Sequence, residues 1–553
     1  FTFFFFILFS YQNIKMSNNQ DFDNVLSDIL RMANSHRLIP SLVDGFKPWQ
    51  RKIIYTCFKR NYKDNVNVEK LAGLVVASTL YNHCIKYLIK SIFKLAQDFV
   101  GSNNISLLQS FDQIGFGSRF LGVEAVAADK PSYVNTMLSP LARKLFPPLD
   151  DPLLAYQYED NQSIEPKYYV PIIPMVLVNG AVGSGCKTMI PSYDPRAIVE
   201  NIKRMLRNEE PLDMNPWYKN FKGTVVKVEP MNYVINGEVA KLDEQTIEIT
   251  ELPIGTWTLP YEETVLKPML HGTETSSPLI NDYESYYTTT KFIIKMNENS
   301  LEKVIQDGIH KEFKLQTSMS ISSMFLLDKN GVIRRYKSAL DILREFFHVR
   351  LDFYVRRKKY HEGMLEAEIL KLENQFRFIL AIKAKKIIME NYEDGDKEFH
   401  KVLTELKFDS DPVKTWLKKF NIDQNEPDTT SNNENVDVKD DDKIPEMEEE
   451  KKYDFDYLIG MPIRAWIQER VEKLMKKRDA KKSELEELKR STPQMLWEKD
   501  LDAFVEEYER MEKNEREKAL TSFKLTDRAY PSEQAVRIEP KIDFEKYQPK
   551  KNG

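Results

Sequence analysis

The sequence is poor in cysteine and glycine and has no long apolar run. It contains 3 cysteines and 19 glycines among 553 residues. Cys57, Cys84 and Cys186 lie far apart and form no Cys-x-x-Cys pair, so they supply neither a zinc cluster nor a disulfide framework, and we expect a reducing compartment. The low glycine content excludes a collagen-like repeat. Because 42% of the residues are apolar, buried cores can form, and at about 100–200 residues per domain we expect three or four domains.

Residues 1–10 are rich in phenylalanine but too short to cross a membrane. A bilayer-spanning helix needs about 20 apolar residues, and a secretory signal carries a basic segment before its apolar core. The stretch meets neither requirement. We interpret residues 1–35 as a leader and flexible N-terminus, and we expect no membrane partner.

Acidic charge is concentrated in one segment. The formal net charge is −5, from 80 Lys+Arg and 85 Asp+Glu. Residues 423–450 hold twelve acidic residues and two lysines, a net of −10, which leaves +5 for the rest of the chain. This segment has few apolar side chains, so we expect a solvated, disordered loop. The overall acidity therefore does not exclude a nucleic-acid partner.

The rest of the sequence divides into helical and strand-rich stretches. Residues 36–130 contain short helices with apolar residues on one face and lysines on the other, as in 50–59 and 87–97. This pattern suits a winged-helix or helix-turn-helix module, and it also suits a helical bundle with a solvated lysine face. Residues 171–330 carry β-branched and aromatic runs broken by Pro and Gly, which predicts an antiparallel α+β region.

Two apolar heptad seams predict a long antiparallel coiled-coil arm. They flank residues 400–460, which contain the acidic segment, so we expect a small helical domain to cap the arm. An arm of about 40 residues would reach about 60 Å at about 1.5 Å per residue. The seam residues are Leu365, Ile369, Leu372, Phe376 and Ile379 in the first helix and Ile467, Val471, Leu474, Leu485 and Leu488 in the second.

Collinear segments of the sequence resemble the breakage–reunion core of eukaryotic type II DNA topoisomerases. The matches run in order from about residue 36 to residue 512, which is more than chance supplies. The resemblance implies a multidomain α+β fold with a winged-helix domain, a β-rich tower domain and a long antiparallel coiled-coil arm with a helical dimer gate. The matching segments are 39–52, 99–109, 136–143, 169–181, 249–253, 457–462, 477–481 and 497–506.

The resemblance also implies domain boundaries. The first folded domain would carry the active-site tyrosine, and the gate helices would include the acidic loop 423–450. The expected order is leader 1–35, winged-helix DNA-gate domain 36–195, tower α+β domain 196–335, first arm helix 336–400, gate helices 401–460, returning arm helix 461–515 and C-terminal tail 516–553.

In this family a tyrosine hydroxyl attacks a DNA phosphate and forms a 5′-phosphotyrosyl link that preserves the bond energy for religation. The match at 136–143 places the equivalent residue at Tyr133. A phenol has a pKa near about 10 and needs activation, and the reacting phosphate needs nearby positive charge. The family has an arginine immediately before its tyrosine, where this chain has Ser132. A serine cannot make the bidentate contact of a guanidinium, so we expect a partly degenerate site.

Two more positions depart from the family pattern. A Tyr-His-His-Gly-Glu run of the family corresponds to residues 81–85, where of the two histidines only His83 is kept, as a weak catalytic candidate or as a surface histidine. An isoleucine that wedges between base pairs in the family corresponds to Ser184. Serine lacks the apolar bulk that would offset base unstacking, so we expect weaker DNA bending. The glycines on either side of Ser184 indicate a tight turn as readily as a phosphate-binding loop.

The resemblance implies that DNA phosphates are contacted by basic and polar residues of the first domain. Arg51 and Lys52 are the strongest candidates, because the Lys-Pro-x-Gln-Arg-Lys pattern of the family is kept apart from Trp49. Each of these side chains could equally be a solvated surface cation. The DNA-binding candidates are Lys47, Gln50, Arg51, Lys52, Lys59, Arg60, Arg143 and Ser184.

The sequence contains no glycine-rich ATP-binding domain, and it has neither the Glu-Gly-Asp-Ser nor the Asp-x-Asp-x-Asp-Gly pattern that would hold Mg²⁺. We therefore predict no metal ligand and no cofactor in this chain. The resemblance implies ATP and Mg²⁺ only for the full family enzyme. Any cleavage would need ATPase and metal-binding domains supplied in trans.

Two functions follow from the resemblance. The chain is expected to bind duplex DNA as a DNA-gate protein that acts through Tyr133 in DNA topology and chromosome segregation. Alternatively, it is a non-catalytic DNA-binding or chromosome-structural paralogue that dimerises with or regulates full-length topoisomerase II. Both hypotheses imply a nuclear location and a homodimer or heterodimer. A coiled-coil scaffold without DNA is disfavoured by the matches in the first domain.

Overall fold

The computed structural model combines helices and sheets, which confirms the predicted α+β class. The chain divides into two compact units, Phe1–Arg350 with Glu498–Gly553, and Leu351–Trp497. The predicted leader, Ser184 and most of the acidic loop lie outside the described residues. The structure describes residues 37–62, 64–110, 116–122, 131–159, 162–183, 188–229, 231–272, 277–286, 290–297, 300–387, 396–425, 454–461, 468–523 and 535–542.

The first unit begins with helices whose ends are fixed by short-range polar contacts. Helix α1 (Pro48–Lys59) starts at a proline, and the Gln50 side chain accepts a hydrogen bond of 2.9 Å from the Lys47 backbone N–H. Proline suits this position because the first helical N–H has no partner within the helix. Helix α2 (Val68–Thr79) follows β1 (Val66–Asn67), and α3 (Ile85–Ala96) buries its apolar face and exposes its lysines, as predicted.

A small antiparallel sheet joins these helices. Its strand order is β1-β3-β2, with β2 at Leu108–Ser110 and β3 at Asn135–Leu138. A 3₁₀ turn, Pro131–Tyr133, enters β3 directly. The elements that follow are α4 (Ala142–Leu145), a 3₁₀ helix (Pro148–Leu153), β4 (Tyr156–Glu159), β5 (Gln162–Pro166), α5 (Met175–Val178), β6 (Ala181–Gly183), β7 (Thr188–Ile190) and α6 (Pro195–Leu206).

The strand-rich region forms two larger antiparallel sheets. One is three-stranded in the order β14-β9-β8, and the other is five-stranded in the order β12-β13-β11-β10-β17, in which β17 is Val536–Arg537. The region contains β8 (Thr224–Glu229), β9 (Asn232–Asn236), β10 (Glu238–Lys241), β11 (Thr246–Glu251), α7 (Thr258–Tyr261), a π-helical turn (Glu262–Leu266), α8 (Lys267–His271), β12 (Ile280–Tyr286), β13 (Lys291–Met296), α9 (Ser300–Asp307), α10 (Ile309–Glu312), β14 (Gln316–Ser320), β15 (Met324–Leu327) and β16 (Ile333–Tyr336).

Alternating apolar residues build the core of the five-stranded sheet. Ile247 and Ile249 of β11 and Phe292 and Ile294 of β13 are fully buried in one hydrophobic cluster. Side chains two residues apart on a strand share a face, so both strands direct these residues to the same side. The β-branched runs at 223–228, 245–249 and 291–295 thus form strands as predicted, whereas the run at 170–178 forms no strand and ends in helix α5 (Met175–Val178).

Long helices make up most of the remaining chain. The second unit contains the heptad segments, in which Leu365, Ile369 and Leu372 are buried and Leu485 and Leu488 are half-buried. The helices are α11 (Ala339–Lys383), α12 (Asp396–Glu405), α13 (Pro412–Asn425), α14 (Asp456–Ile459), α15 (Gln468–Arg490) and α16 (Pro493–Phe523), followed by β17 (Val536–Arg537).

Ion pairs show that α11 and α15 run antiparallel within the second unit. Lys482 Nζ lies 2.7 Å from a Glu373 carboxylate oxygen. Lys489 Nζ lies 2.7 Å from Glu366. As the residue numbers rise along α15, the numbers of the facing residues on α11 fall, so the two helices run in opposite directions. These exposed pairs contribute little stability individually, so the buried apolar seam carries most of the packing energy.

Two structural details lie near the expected boundaries of the returning helix and the tail. The returning helix is broken between α15 and α16, because Pro493 has no N–H to continue the hydrogen-bond ladder and the Thr492 hydroxyl caps the next helix by accepting from Met495 N at 3.2 Å. The segment expected to be a tail is also partly ordered. Helix α16 continues to Phe523, and β17 pairs with β10 through Ala240 and Lys241.

Gly363 provides a test of helix packing in the second unit. A Cβ added there would lie 2.4 Å from the Trp416 indole, so Gly363→Ala should lower the free energy of unfolding by about 1–3 kcal/mol through overpacking. Gly73 in α2 is the matched control, because an added Cβ would meet nothing within 4 Å. Gly73→Ala should be neutral or stabilising by up to about 1 kcal/mol. Thermal unfolding of both variants checks this, and equal shifts would contradict the packing explanation.

Candidate tyrosine site and nucleic-acid interface

Tyr133 lies on the surface at the end of the turn that precedes β3. Its side chain is 80% exposed, whereas the next residue, Val134, is buried. Ser132 is also exposed. The phenol oxygen is therefore open to an incoming substrate, while the backbone beside it is anchored in the core.

His83 lies on the surface and is not bonded to the tyrosine. Its ring packs edge-on against Tyr81, with 5.5 Å between centroids. Partial desolvation, together with the positive charges of Arg37 and Lys52, lowers the pKa of His83 from its ordinary value. The neutral imidazole is therefore favoured near pH 7. Within the described part of the chain, no hydrogen bond joins His83 to Tyr133.

Arg51 is held inside the protein by Asp44. The guanidinium is 7% exposed, with Nε 2.6 Å from Asp44 Oδ2 and Nη2 3.1 Å from Oδ1. This fork-like contact uses the donors that would bind a phosphate. The structure therefore gives Arg51 an internal partner, and its contact with DNA stays a prediction.

The Lys52 side chain also has internal hydrogen-bond partners. Its Nζ donates to the Thr79 carbonyl and to the Glu165 carboxylate, both at 2.8 Å. The side chains of Lys52 and Glu165 are 15% and 5% exposed. A phosphate contact by Lys52 would require breaking a largely buried ion pair, which is costly because the abandoned carboxylate stays in a poorly solvated place.

Lys47 and Gln50 lie together at the start of α1. Lys47 Nζ donates to the Val182 carbonyl at 3.1 Å and lies 5.9 Å from the Trp49 ring centroid. Burial, reinforced by the positive charge of Lys94, lowers the pKa of Lys47. Lys47 is therefore partly buried and already hydrogen-bonded to the backbone of β6.

The other predicted cations differ in how free they are. Arg143 lies over the Phe58 ring at 3.7 Å from the centroid and donates to Asp151 at 3.1 Å. Lys59 donates to the Tyr55 hydroxyl at 3.0 Å and is otherwise exposed. Arg60 is exposed at the C-terminal end of α1. The Arg143 side chain thus already contacts Phe58 and Asp151, whereas the Lys59 and Arg60 side chains remain available to bind a phosphate.

The structure also shows a basic strip that is absent from the sequence-based candidates. Lys86, Lys90 and Lys94 are exposed on one face of α3, at spacings of four residues. None of them forms an ion pair within the described residues. Like charges four residues apart destabilise a helix slightly, and here no acid offsets that cost. The spacing is visible in the sequence, but it indicates the solvated face of a helix as readily as a binding surface.

Metal-binding and membrane-spanning features are both lacking among the described residues. No group of three or more His, Cys, Asp or Glu side chains there is arranged to hold a metal ion. None of the described helices is both long and apolar enough to cross a bilayer.

Comparison with known proteins covers most of the chain. A family model described as the A subunit of DNA gyrase/topoisomerase IV matches residues 37–502. DNA topoisomerase 2-alpha of Sus scrofa is 48% identical over 501 residues, which is 90% of this chain and 32% of that protein. The Homo sapiens protein of the same name is 46% identical over 540 residues, which is 95% of this chain and 35% of that protein. The chain spans about a third of the length of these curated relatives.

A solved structure agrees with these matches. The DNA-binding, cleavage and re-ligation domain of Plasmodium falciparum topoisomerase II superposes with a TM-score of 0.74 at 36% sequence identity. The match covers 88% of this chain and 64% of that chain. The fold and the sequence thus point to the same family over the same region. The chain belongs to the DNA gyrase/topoisomerase IV A-subunit family and corresponds to the breakage–reunion core region of type II topoisomerases.

Proposed function

We propose that this chain is a DNA-gate protein that binds duplex DNA and uses Tyr133 to form a transient 5′-phosphotyrosyl link. The exposed phenol on an anchored turn, at the position that matches the family's tyrosine, carries this proposal. The Tyr133 oxygen attacks phosphorus and the bond from phosphorus to the 3′-oxygen breaks. The phenol proton passes to a base or solvent, and the departing 3′-oxygen takes up a proton. Religation reverses these steps.

Ser132 limits the rate of this reaction in the proposal. A neutral hydroxyl cannot neutralise the charge that builds up on the phosphate, and removing one such donor slows comparable reactions by about 10²–10³-fold. His83 is a neutral surface imidazole near pH 7 and has no contact with Tyr133 to replace the lost cation. ATPase and metal-binding parts would come from sequence outside this chain, such as a full-length relative.

The proposed architecture follows the family. Helices α1–α3 with the β1-β3-β2 sheet would be the winged-helix domain, and the larger sheets would be the tower. Helices α11 and α15 would form the coiled-coil arm, with α12–α14 at its gate. We expect a homodimer, or a heterodimer with a full-length topoisomerase II, acting in the nucleus in DNA topology and chromosome segregation.

DNA binding is assigned to the basic groups that the fold leaves available. Lys86, Lys90 and Lys94 form the basic strip on α3, and the Lys94 charge also acts on Lys47. The aromatic ring of Tyr87, which is 70% exposed, lies between two of these lysines in sequence. Exposed lysines with an aromatic neighbour suit a phosphodiester backbone. Arg51 and Lys52 instead hold the domain together.

A second function has its own support. Ser132 removes the charge that cleavage needs but leaves the basic strip intact, so the chain could bind DNA without cutting it. The alternative is therefore a non-catalytic DNA-binding or chromosome-structural paralogue that dimerises with or regulates full-length topoisomerase II. Covalent trapping separates the two functions.

Tyr133→Phe should abolish covalent protein–DNA adducts trapped by denaturant, because the nucleophilic oxygen is lost. The chain should be tested alone and mixed with a full-length type II topoisomerase, with adducts distinguished by mass. Tyr158→Phe is the matched control, since Tyr158 is also strongly exposed, at 73%. Ser132→Arg should raise the adduct yield by restoring a guanidinium. The absence of adducts under every condition would leave only the non-catalytic function.

Replacing Lys86, Lys90 and Lys94 together by alanine should weaken DNA binding and flatten its salt dependence. Each lost phosphate contact makes the negative slope of log K against log salt shallower by about 0.9. Lys401, Lys418 and Lys419, all exposed, give a control of equal charge change in the second unit. Affinity titrations at several salt concentrations measure both slopes. Equal effects of the two triple variants would show that the basic strip is not a specific contact.

Arg51→Ala should lower stability and leave the salt slope of DNA binding unchanged. Removing the cation leaves Asp44 charged and fully buried, which costs about 3–5 kcal/mol. Arg60→Ala, at the exposed end of α1, should change the thermal midpoint little. Thermal unfolding and DNA titration of the two variants check this. A stable Arg51→Ala chain with a reduced salt slope would restore Arg51 as a phosphate contact.

A further inference from the structure

Asn67 connects α2 to the turn that carries Tyr133. It is the last residue of β1 and the N-cap of α2, and its backbone pairs with Asn135 of β3. Its position is therefore fixed from both sides, by a strand pair and by a helix start. The side chain contacts both elements, and it is not among the candidates from the sequence.

The two ends of the Asn67 amide make different contacts. Oδ1 accepts from the backbone N–H groups of Glu69 at 3.0 Å and Lys70 at 3.2 Å. Nδ2 donates to the Ser132 carbonyl at 2.7 Å. The opposite amide orientation would place Oδ1 against the carbonyl oxygens of the turn and Nδ2 against the backbone N–H groups of α2. Only the orientation described therefore satisfies these hydrogen bonds.

The amide nitrogen also lies near carbonyls on both sides of Tyr133. Nδ2 is 3.4 Å from the Pro131 carbonyl and 3.4 Å from the Val134 carbonyl. The Val134 carbonyl accepts a second hydrogen bond, of 2.9 Å, from Val68 N. Because Val134 is buried, the turn is held at its base while the phenol remains exposed.

We infer that Asn67 is a positioning residue for Tyr133. Its amide fixes the turn so that the phenol oxygen meets the phosphate in a reactive geometry. The inference rests on the proposed function of Tyr133. A displacement of about 1 Å in such a site costs about 10²-fold in rate. Because the neutral Ser132 side chain cannot hold the phosphate as a guanidinium would, the rate of the reaction depends more strongly on how the protein positions the phenol.

Asn67→Asp separates positioning from helix capping. Asp and Asn cap helices about equally, and a carboxylate is favourable at a helix N-terminus. The carboxylate has no N–H, however, and faces the three carbonyl oxygens of the turn. Adduct formation at saturating DNA should fall about 100-fold, with the thermal midpoint close to that of the parent. Asn67→Ser keeps an uncharged capping hydroxyl that is too short to reach the turn. Its rate of adduct formation should also fall.

Asp194→Asn is the matched control, because Asp194 caps α6 by accepting from Arg196 N at 2.9 Å. It should leave adduct formation unchanged. Hydrogen exchange gives a readout that does not depend on cleavage. In Asn67→Asp, amides of residues 132–138 should exchange faster, while those of α2 stay protected.

The outcomes separate the two proposals. If the parent forms adducts and Asn67→Asp forms them equally fast, the positioning inference is wrong and the proposed function stands. If the parent forms no adducts, the proposed function is contradicted, and hydrogen exchange then decides whether Asn67 holds the turn. Unchanged exchange of residues 132–138 overturns the inference in either case.

Discussion

The buried carboxylate of Asp44 is the contact on which the first domain depends. It is fully buried and accepts from the Arg51 guanidinium, from Phe46 N at 3.0 Å and from Tyr169 N at 3.1 Å. Two segments that are distant in the chain, residues 44–51 and the segment of Tyr169, therefore meet at one charge. A buried carboxylate is tolerable only when its hydrogen bonds are complete, so each donor is structurally required. Next to it, Gly45 adopts φ of +73°, and a Cβ there would come within 2.8 Å of Val176 N.

This network changes the meaning of the Lys-Pro-x-Gln-Arg-Lys segment. Gln50 closes the start of α1, Arg51 neutralises Asp44, and Lys52 neutralises Glu165. Most of the segment thus builds the domain, although its charge suggests a DNA surface. The free positive charge lies instead on the outer face of α3, where no acid among the described residues pairs with it. A basic side chain that is already paired inside the protein is not available to bind a phosphate. The number of basic residues in a segment therefore does not give its capacity to bind DNA.

At Tyr133 the fold fixes the position of the turn, but the neighbouring side chain supplies no charge. The turn is anchored by a buried side chain and by the Asn67 amide, so the phenol has a defined place at the surface. The residue beside it, Ser132, carries no positive charge. Positioning and electrostatic stabilisation are distinct contributions to catalysis, and a site can keep one after the other is lost. Such a site fits both slow cleavage and DNA binding without cleavage.

The sequence by itself determined the α+β class, the strand-rich region, the heptad segments and the family, because periodicity and ordered motifs are properties of the chain alone. The family resemblance at 136–143 led to the prediction that Tyr133 is the equivalent of the family's tyrosine. Only the tertiary structure decided which cations are free, since the partners of Arg51 and Lys52 depend on folding; Glu165 is 113 residues away from Lys52. It also revealed Asn67, whose amide is an ordinary helix cap until the fold brings the turn beside it. A residue type fixes what a side chain can donate or accept, and the fold fixes to which group it does so.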